Sequence, residues 1–414
     1  MFSIFKIALR NLRRYTRRTA LTALLIVVGM VMVILFSGLA GSFKNMMIGI
    51  ITDSSLGHLQ IHKKGYVSSI DTLPLYLNLS PKMYKQVVTI LQNNKEVQAF
   101  APRIKLGCMI SNFVETTNIK ISAIVPEKEL KVCPGWADRL RSKQQYPYLH
   151  SGEIILPEKI AKGMGIKIGD SVVLVATNKD GSVNGMQFKV AGIIQSIIGP
   201  QGKDGYITLA DARKLLRIKK SEVSEIVVRV KNFSKLKKVA KQLRAQLDQF
   251  KNKKGKPVFE LHTWAQLSPF TNIAAMIDLM TVTVKIIMIA IVLISVLNVM
   301  LMSVYERIRE IGTLAAMGTT PLKILLLFVT EGLCLGILGA IIGNVLGLGL
   351  LWFLRVKQVT FSFGMMKNLV LKPEFNWSEL LIINVIVLLI AVLASFQPAW
   401  KASQMEPAEA LRQV

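Results

Sequence analysis

Four long stretches of this chain carry almost no charged residues, and their order constrains the fold more than any other feature. One follows a basic N-terminus, and three are grouped after about 230 more polar residues. Only Glu331 interrupts them. Each stretch reaches the roughly 20 residues that a helix needs to cross about 30 Å of hydrocarbon. The sequence therefore predicts a multi-span α-helical membrane protein with four transmembrane helices and a large domain between helices 1 and 2.

Flanking charges and turn residues set the expected bounds of the segments. These are a basic N-terminus (1–18), transmembrane helix 1 (19–43), the large domain (44–270), a stalk continuous with transmembrane helix 2 (271–304), a connecting helix (305–320), transmembrane helix 3 (321–354), a loop (355–377), transmembrane helix 4 (378–400) and a tail (401–414). The first apolar run is longer than the roughly 7–15 residues of a signal-peptide core, so we expect it to be retained as an anchor.

The basic residues predict the orientation, because Lys and Arg near the ends of spans stay on the cytoplasmic side. Those that precede the first span are Lys6, Arg10, Arg13, Arg14, Arg17 and Arg18. Both termini are therefore expected to be cytoplasmic and the large domain extracytoplasmic.

The net charge of +27 would favour nucleic-acid binding in a soluble protein. Most of the excess falls in the large domain, whose predicted side of the membrane holds no nucleic acid. We therefore expect a solvated basic surface instead, with membrane lipids as partners where anionic headgroups lie near it. Cys108 and Cys133 share this domain and could form a disulfide, although their sequence context does not fix their geometry. His58 and His62 would share one strand face, but without a third ligand they predict no metal site.

The large domain is expected to have an α+β fold. The alternation in Gly57–His62 is typical of a strand, and Ser80 before Pro81 is typical of a helix start. Short apolar runs separated by Gly-Asp and Asp-Gly turns predict a β-rich insert at about residues 151–230. Because sections with both helices and strands flank this insert, we expect two subdomains.

The stalk is expected to be a single helix, since the segment from Thr271 to Val304 contains no proline or glycine. Such a helix would be about 51 Å long, roughly 20 Å more than the thickness of the hydrocarbon. A stiff helix of this length could carry motion across the membrane, or it could be a structural stalk.

The segment Val304–Pro321 has the most distinctive pattern. Apolar residues recur at helical spacing, charged residues occupy the opposite face, and a glycine and a proline follow. The apolar positions are Ile308, Ile311, Leu314 and Ala315, and the terminating residues are Gly318 and Pro321. This pattern predicts a short amphipathic helix on the cytoplasmic side, which could lie in the membrane interface or contact a protein partner.

Three segments resemble the FtsX-like and MacB-like ABC transporter permeases, which include the lipoprotein-releasing LolC and LolE. They are Tyr305–Gly318, the C-terminal Gln397–Arg412 and the N-terminal Ala8–Arg13. The resemblance extends over the whole chain, including the order of the spans. It implies location in the bacterial inner membrane, dimerisation with a second copy or a paralogue, and a separate ABC ATPase subunit.

The resemblance also implies that the segment matching Tyr305–Gly318 is the coupling helix, which docks on the ATPase in this family. The residues assigned to it are Tyr305, Glu306, Arg307, Ile308, Arg309, Glu310, Ile311, Leu314, Met317 and Gly318. No G-x-x-x-x-G-K-[ST] motif occurs in the sequence, so the chain lacks that means of cradling a nucleotide phosphate. MacB-type chains carry an N-terminal ATPase domain, whereas this one begins close to its first span. We therefore expect a non-enzymatic permease subunit that binds no cofactor, with ATP and Mg on the partner ATPase.

Apolar residues near the outer ends of the first two spans are candidates to line a substrate region. Methionine is flexible and suits varied acyl chains, but ordinary helix packing explains the same residues. The candidates are Phe36, Leu39, Phe43, Met46, Met47, Ile273, Met276, Ile277 and Met280.

A turn in the insert matches the position of a hairpin that, in lipoprotein-releasing permeases, receives a periplasmic lipoprotein carrier. It consists of Asn178, Lys179, Asp180, Gly181 and Ser182. The turn is shorter than that hairpin and lacks its proline-rich tip, so a plain surface turn is an alternative.

Two features of the third span also have predicted roles. Glycines at spacings of three and four residues predict close helix packing, at Gly332, Gly336, Gly339, Gly343 and Gly347. An unpaired carboxylate at Glu331 would be costly inside a membrane, so it is expected to face the helix bundle or to stay protonated.

Lipoprotein release or translocation from the inner membrane is the expected function. One alternative is efflux of a peptide, toxin or drug with an outer-membrane partner. Another is FtsX-like signalling across the membrane to a cell-wall hydrolase, although FtsX chains have smaller outer domains.

Overall fold

The structure is a computed structural model that describes most of the chain. The described residues are 6–8, 10, 11, 14, 16–142, 148–195, 204–218, 221–358, 360–363, 366–370, 373 and 376–406. Some predicted features therefore lie outside them, namely Leu9, Leu12 and Arg13 of the N-terminal segment and the tail from residue 407. The chain forms two compact units. The α+β domain contains Met46–Ile273, and the helical unit contains most of the described residues on either side.

Long helices at both ends of the described chain enclose a series of short strands and helices. In chain order the elements are α1 (Thr16–Ile51), a π-helical turn (Thr52–Leu56), β1 (Leu59–Lys63), α2 (Pro81–Asn93), β2 (Val97–Ser111), β3 (Thr116–Ile124), α3 (Pro126–Val132), α4 (Gly135–Asp138), β4 (Leu140–Ser142), β5 (Glu153–Pro157), α5 (Glu158–Gly163), β6 (Ser171–Thr177), β7 (Val183–Ile194), β8 (Asp204–Thr208), α6 (Leu209–Leu215), β9 (Glu225–Val230), α7 (Leu236–Leu247), β10 (Phe259–Thr263), α8 (Trp264–Leu267), α9 (Phe270–Glu306), α10 (Ile308–Ala316), α11 (Pro321–Lys357), β11 (Thr360–Phe363), β12 (Met366–Val370) and α12 (Trp377–Ser403). Short 3₁₀ turns occur at Val67–Thr72, Leu75–Leu77 and Phe233–Lys235.

The predicted fold class is confirmed. Four helices of the described residues, α1, α9, α11 and α12, are long and apolar enough to cross a membrane. The first of them continues to Ile51, past the expected end at residue 43. The reason is that lysine is a good helix former, so Lys44 does not end the helix; its ammonium group pairs with Asp278. A flanking charge therefore marks the limit of the apolar stretch rather than the end of the helix.

Ten strands of the α+β domain form a single sheet. Its order is β10-β1-β9-β2-β3-β8-β5-β7-β4, and β6 pairs with both β2 and β7. The 15-residue strand β2 pairs with β9 through its first half and with β3 and β6 through its second half. This long strand makes the sheet continuous. The predicted start at Ser80 is confirmed, since its hydroxyl accepts a hydrogen bond from Met83 N at 3.4 Å.

The structure differs from the expectation of a separate insert at residues 151–230. Strand β9 belongs to the other side of the sheet, where it pairs with β1 and β2. Strand β2 runs from Val97 to Ser111, which brings β2 and β3 next to the insert strands. Because β2 takes part in both sides, the domain is one compact unit rather than two.

Apolar side chains fill both faces of this sheet. One cluster joins β1, β9 and β10 to α2 and α7, with Ile61 and Leu243 fully buried. A second cluster lies around strands β2, β3, β6 and β7 and helix α6, and a third surrounds Trp136. Cys108 lies in the second cluster and Cys133 in the third, and both are free thiols. The disulfide that the sequence left open is therefore absent.

The segment predicted as a loop between the third and fourth spans contains regular structure. Helix α11 continues to Lys357, and β11 and β12 form a two-stranded sheet. The fourth span begins at Trp377, where the side chain of Asn376 accepts hydrogen bonds from Ser378 N and Glu379 N at 3.2 and 3.4 Å. This side chain satisfies two of the amides that a helix start leaves unpaired.

Candidate functional site

The predicted coupling segment contains a helix break followed by a short helix. Helix α9 ends at Glu306, and Arg307 has φ −114° and ψ 16°, which are not helical values. Helix α10 then runs from Ile308 to Ala316. Gly318 has φ 85°, a left-handed conformation that glycine adopts without strain. The break and the glycine separate α10 from both neighbouring spans.

Arg307 is the residue that ties this segment to the rest of the helical unit. Its side chain is buried, with 6% exposure, and its Nη1 donates to Glu331 Oε2 at 3.1 Å. Its Nε donates to Glu310 Oε2 at 2.9 Å, and its guanidinium carbon lies 5.4 Å from the centre of the Phe328 ring. Because Glu331 is itself buried, the pair supplies the compensation that a carboxylate inside a span requires.

The charged residues of this segment were all predicted to lie on one outward face, and for Arg307 that prediction is wrong. The chain turns at this residue, so its side chain points inward to Glu331 instead of following the helical periodicity. The outward residues are Tyr305 and Met317, which are 59% and 70% exposed, together with Glu306 and Arg309. Of the apolar positions, Ile311 is buried, while Ile308 and Leu314 are half-buried. This segment presents an aromatic, charged and apolar surface beside a buried ion pair.

A second group of charges ties together helices of the same unit, and the sequence patterns did not predict it. Lys44 Nζ pairs with both carboxylate oxygens of Asp278 at 2.6 and 2.7 Å, which connects α1 to α9. Lys285 Nζ and Ser37 Oγ both donate to Glu379, which connects α9 and α1 to α12. The sequence did contain one signal for these pairs, namely opposite charges at the ends of spans that are predicted to lie on the same side of the membrane.

The candidate lining residues differ in exposure. In α9, Ile273, Met276 and Met280 are exposed and Ile277 is half-buried. In α1, Met47 is buried, and the others, Phe36, Leu39, Phe43 and Met46, are half-buried. The exposed α9 side chains are available to a ligand, whereas Met47 is not, because it is buried.

The predicted partner hairpin is a compact turn between β6 and β7. Asn178 N donates to Ser182 O at 2.9 Å, and the Asn178 side chain accepts from Asp180 N at 3.1 Å and from Ser182 N at 2.9 Å. Gly181 adopts φ 83°. Lys179 pairs with Glu222 at 3.1 Å. The turn is closed by its own hydrogen bonds and needs no partner to hold its shape.

The glycines of α11 allow two neighbouring helices to approach closely. A Cβ on Gly332 would lie 1.7 Å from Ser395 Oγ of α12, and one on Gly339 would lie 2.4 Å from Ile26 Cγ2 of α1. Gly336 also faces α12, and Gly343 and Gly347 also face α1. The first two glycines of the stripe therefore contact one helix and the last three contact another.

The α+β domain contains buried ion pairs that sequence patterns did not indicate. Arg103 donates to Glu129 through Nε at 3.0 Å and through Nη2, and to Glu225 through Nη1 at 3.1 Å. Burial by itself would raise the pKa of Glu225, but the charges of Lys105 and Arg103 and the contact with His62 outweigh burial and lower it. The carboxylate therefore stays ionised, which a buried Arg103 requires.

A second buried pair lies beside the first. Lys105 Nζ donates to Asp204 Oδ2 at 2.7 Å and to Ser122 Oγ at 2.5 Å, and that hydroxyl donates to the same Asp204 oxygen at 3.0 Å. A cavity of about 230 Å³ borders both pairs. Each cation here has a carboxylate partner, so the arrangement suits a structural role better than acid–base chemistry.

Comparisons with known proteins agree with this architecture. A family model described as MacB-like periplasmic core domain matches residues 19–246, which is more than half of the chain. A second, described as FtsX-like permease C-terminal, matches residues 282–407. Together they cover both units, and they confirm the family resemblance.

Three relatives illustrate the range of similar proteins. An uncharacterised ABC transporter permease of Methanocaldococcus jannaschii is 27% identical over 248 residues, which cover 60% of this chain and 58% of that protein. The lipoprotein-releasing system transmembrane protein LolC of Xylella fastidiosa is 22% identical over 351 residues, covering 80% of this chain and 81% of that one. The macrolide export ATP-binding/permease protein MacB of Bdellovibrio bacteriovorus is 25% identical, covering 56% of this chain and 35% of that one.

Proposed function

Because this chain belongs to the FtsX-like ABC transporter permeases with a MacB-like periplasmic core domain, we propose that it is the permease subunit of an exporter that releases lipoproteins from the membrane. A separate ABC ATPase supplies the energy on the cytoplasmic side. A second copy of this chain, or a paralogue, completes the permease.

The observation that carries the coupling part of this proposal is the buried Arg307–Glu331 pair at the base of α10. A force applied to α10 acts on Arg307, and the ion pair passes it to α11. Helix α9 ends next to Arg307 and is continuous for 37 residues, or about 55 Å. Motion at α10 therefore reaches the far end of α9 without an intervening flexible loop.

Two sets of variants separate docking on the ATPase from transmission of force. The first changes exposed residues of the coupling segment, with Arg309→Glu and Met317→Ala, and it should abolish co-purification of the ATPase. The second, Arg307→Gln, removes the buried cation and should leave ATPase binding intact while reducing substrate-stimulated ATP hydrolysis about tenfold, which corresponds to about 1.4 kcal/mol of activation free energy.

Lys401→Glu is the matched control for the first set, because it reverses one exposed positive charge near the end of α12, on the same predicted side of the membrane. It should bind the ATPase as the wild type does. Retained binding by the Arg309→Glu, Met317→Ala double variant would show that α10 is not the docking helix.

We prefer lipoprotein release over efflux because the matches to lipoprotein-releasing relatives cover a larger share of the matched proteins than the matches to export relatives do. The LolC relatives match this chain across both units, and the match spans about four-fifths of each protein. The MacB and pyoverdine-export relatives match over only about a third of their length. An acylated protein also suits the exposed methionines and isoleucine of α9, since methionine side chains adapt to varied apolar ligands.

The test is affinity purification from the native membrane, with mass spectrometry of the co-eluting proteins before and after vanadate trapping. Recovery of an ATPase together with acylated proteins that are lost on trapping would support lipoprotein release. Recovery of an outer-membrane channel and no acylated protein would favour efflux, and recovery of a cell-wall hydrolase would favour signalling.

A further inference from the structure

Three potential metal ligands meet on one face of the sheet in the α+β domain. Strands β1 and β10 are antiparallel, with His62 opposite Glu260 and Gln60 opposite His262. Residues opposite each other, and residues two apart on one strand, point to the same face of a sheet. His62, Glu260 and His262 therefore share a face, although about 200 residues separate the two strands.

The geometry of these three side chains is close to that of a metal site. One ligand atom from each lies within 4.8 Å of the others. His62 is fully buried, and its Nδ1 has no hydrogen-bond partner among the residues that the structure describes; the same is true of Nδ1 of His262. Buried polar atoms nearly always have a partner. Two such nitrogens next to one carboxylate are explained if all three groups share a cation.

The surroundings hold these side chains in place. Glu260 accepts hydrogen bonds from Gly65 N at 3.1 Å and Val67 N at 2.8 Å, and each of its oxygens keeps a lone pair for another contact. The His62 ring stacks on Tyr66 with 5.0 Å between centroids. His62 Nε2 lies 3.5 Å from Glu225 Oε2, which is within ion-pair distance but leaves Nε2 without a hydrogen-bond partner among the described residues.

We propose that His62, Glu260 and His262 bind one divalent transition metal ion of the zinc class. Two imidazoles and a carboxylate form a ligand set that suits Zn²⁺, with water in the remaining position. Bonds of about 2.0–2.2 Å would need the ligand atoms to be about 3–3.5 Å apart, so the side chains close slightly around the ion. The sequence predicted no metal because it offered only His58 and His62.

His58 is excluded by its own hydrogen bond, since its Nδ1 accepts from Val230 N at 3.1 Å. The ligands on β10 became apparent only from strand pairing.

The location of the proposed site on β1 and β10 means that a bound ion would have a mechanical effect. Strand β10 is the edge strand of the sheet, and among the described strands β1 is its only neighbour. Along the chain, β1 follows α1 and the π-helical turn, whereas β10 leads through α8 into α9. A metal ion across β1 and β10 would fasten together the two strands that are next in sequence to the first two spans. The metal site does not depend on the proposed transport function.

The test uses the full-length chain in detergent, purified without a polyhistidine tag and stripped with a chelator. Zn²⁺ is titrated at pH 7.5 by calorimetry. We expect one site per chain, and His262→Gln should weaken it at least about tenfold, as changes around metal ligands do. His150→Gln is the matched control, because His150 is exposed and also lies next to a carboxylate, Glu153, at 3.2 Å. It should bind Zn²⁺ as the wild type does.

X-ray absorption at the zinc edge keeps the proposal testable even if a histidine variant fails to fold. The wild type should show two imidazole ligands and light-atom neighbours. Absence of a site tighter than about 100 µM, fewer than two imidazoles, or an equal loss of affinity in His150→Gln would overturn the proposal.

Discussion

The helical unit and the α+β domain both bury charged side chains, but they are packed by different means. The α+β domain encloses large aliphatic and aromatic residues around the sheet, together with a linked set of ion pairs that includes Arg103 and Lys105. The helical unit instead brings backbones together at glycines, and Arg307 and Glu331 are buried within it. The contrast follows from the solvent that each unit faces.

In water, removing apolar surface from solvent is itself the driving force, so the domain gains from large side chains. In lipid that force is absent between helices, and close van der Waals contact at small residues takes its place. We therefore expect added volume at the glycines to destabilise the helical unit. In the α+β domain we expect loss of a buried cation to cost more than loss of an exposed one, because it leaves carboxylates buried without a partner. Four measurements test this difference, beginning with the largest expected effect.

Arg103→Met should destabilise the α+β domain by about 3–5 kcal/mol, because it leaves two buried carboxylates, Glu129 and Glu225, without their cation. Hydrogen exchange with mass spectrometry on the full chain reads the opening free energy of β2 and β9 directly. Peptides of α11 and α12 serve as the internal reference and should be unchanged. A loss below about 1 kcal/mol would mean that the ion pairs are not what makes this domain sensitive.

Acid should weaken the same domain through His58. Burial, with a further contribution from the charge of Arg229, lowers the pKa of His58 from 6.5 to about 4. The unfolded chain therefore takes up a proton near pH 6.5 and the folded chain only near pH 4, so stability falls as the pH drops through this window. The loss at pH 4 is roughly 3 kcal/mol.

The slope of the unfolding free energy against pH is measured by hydrogen exchange, corrected for the effect of pH on the intrinsic exchange rate and carried out in the presence of a chelator. The variant His58→Gln should be less stable at pH 7 but flatter between pH 6.5 and 4, whereas the exposed His150→Gln should keep the wild-type slope. An unchanged slope in His58→Gln would assign the acid sensitivity to other groups.

Gly332→Ala should destabilise the helical unit by about 1–3 kcal/mol, since the new methyl group would overlap Ser395 and overpacking carries a cost of this size. Gly349→Ala, in the same helix, is the control, because no atom of the described residues lies within 4 Å of its added Cβ. The labelling rate of Cys334, which is buried in α11, reports opening of this unit once Cys108 and Cys133 are replaced by alanine. Equal labelling rates in the two glycine variants would contradict close packing as the explanation for the regularly spaced glycines of α11.

Lys235→Met should have the smallest effect. Lys235 pairs with Glu96 at 2.9 Å, but both side chains are well exposed, and exposed pairs contribute little. Hydrogen exchange of α7 should match the wild type within error. A loss comparable with that of Arg103→Met would show that charge pairing, rather than its burial, sets the sensitivity of this domain.

Several parts of the structure were accessible from the sequence because they depend on local patterns. The four spans follow from apolar length, and the start of α2 follows from Ser80 and Pro81. The glycine stripe was visible as a spacing, although the sequence could not show that Gly332 meets α12 while Gly339 meets α1. The separate insert was a wrong prediction, because the sequence could not show that the long strand β2 pairs with β9 on one side of the sheet and with β3 and β6 on the other.

The sequence by itself determined the membrane class, the number of spans, the α+β character of the large domain and the family, because apolar length, periodicity and short motifs are local properties. Only the tertiary structure decided which distant residues meet. The inward turn of Arg307 to Glu331, the pairing of Lys285 with Glu379 and the approach of His62 to His262 each join separate elements of the fold. Such contacts depend on strand register and helix packing, and no local pattern encodes them.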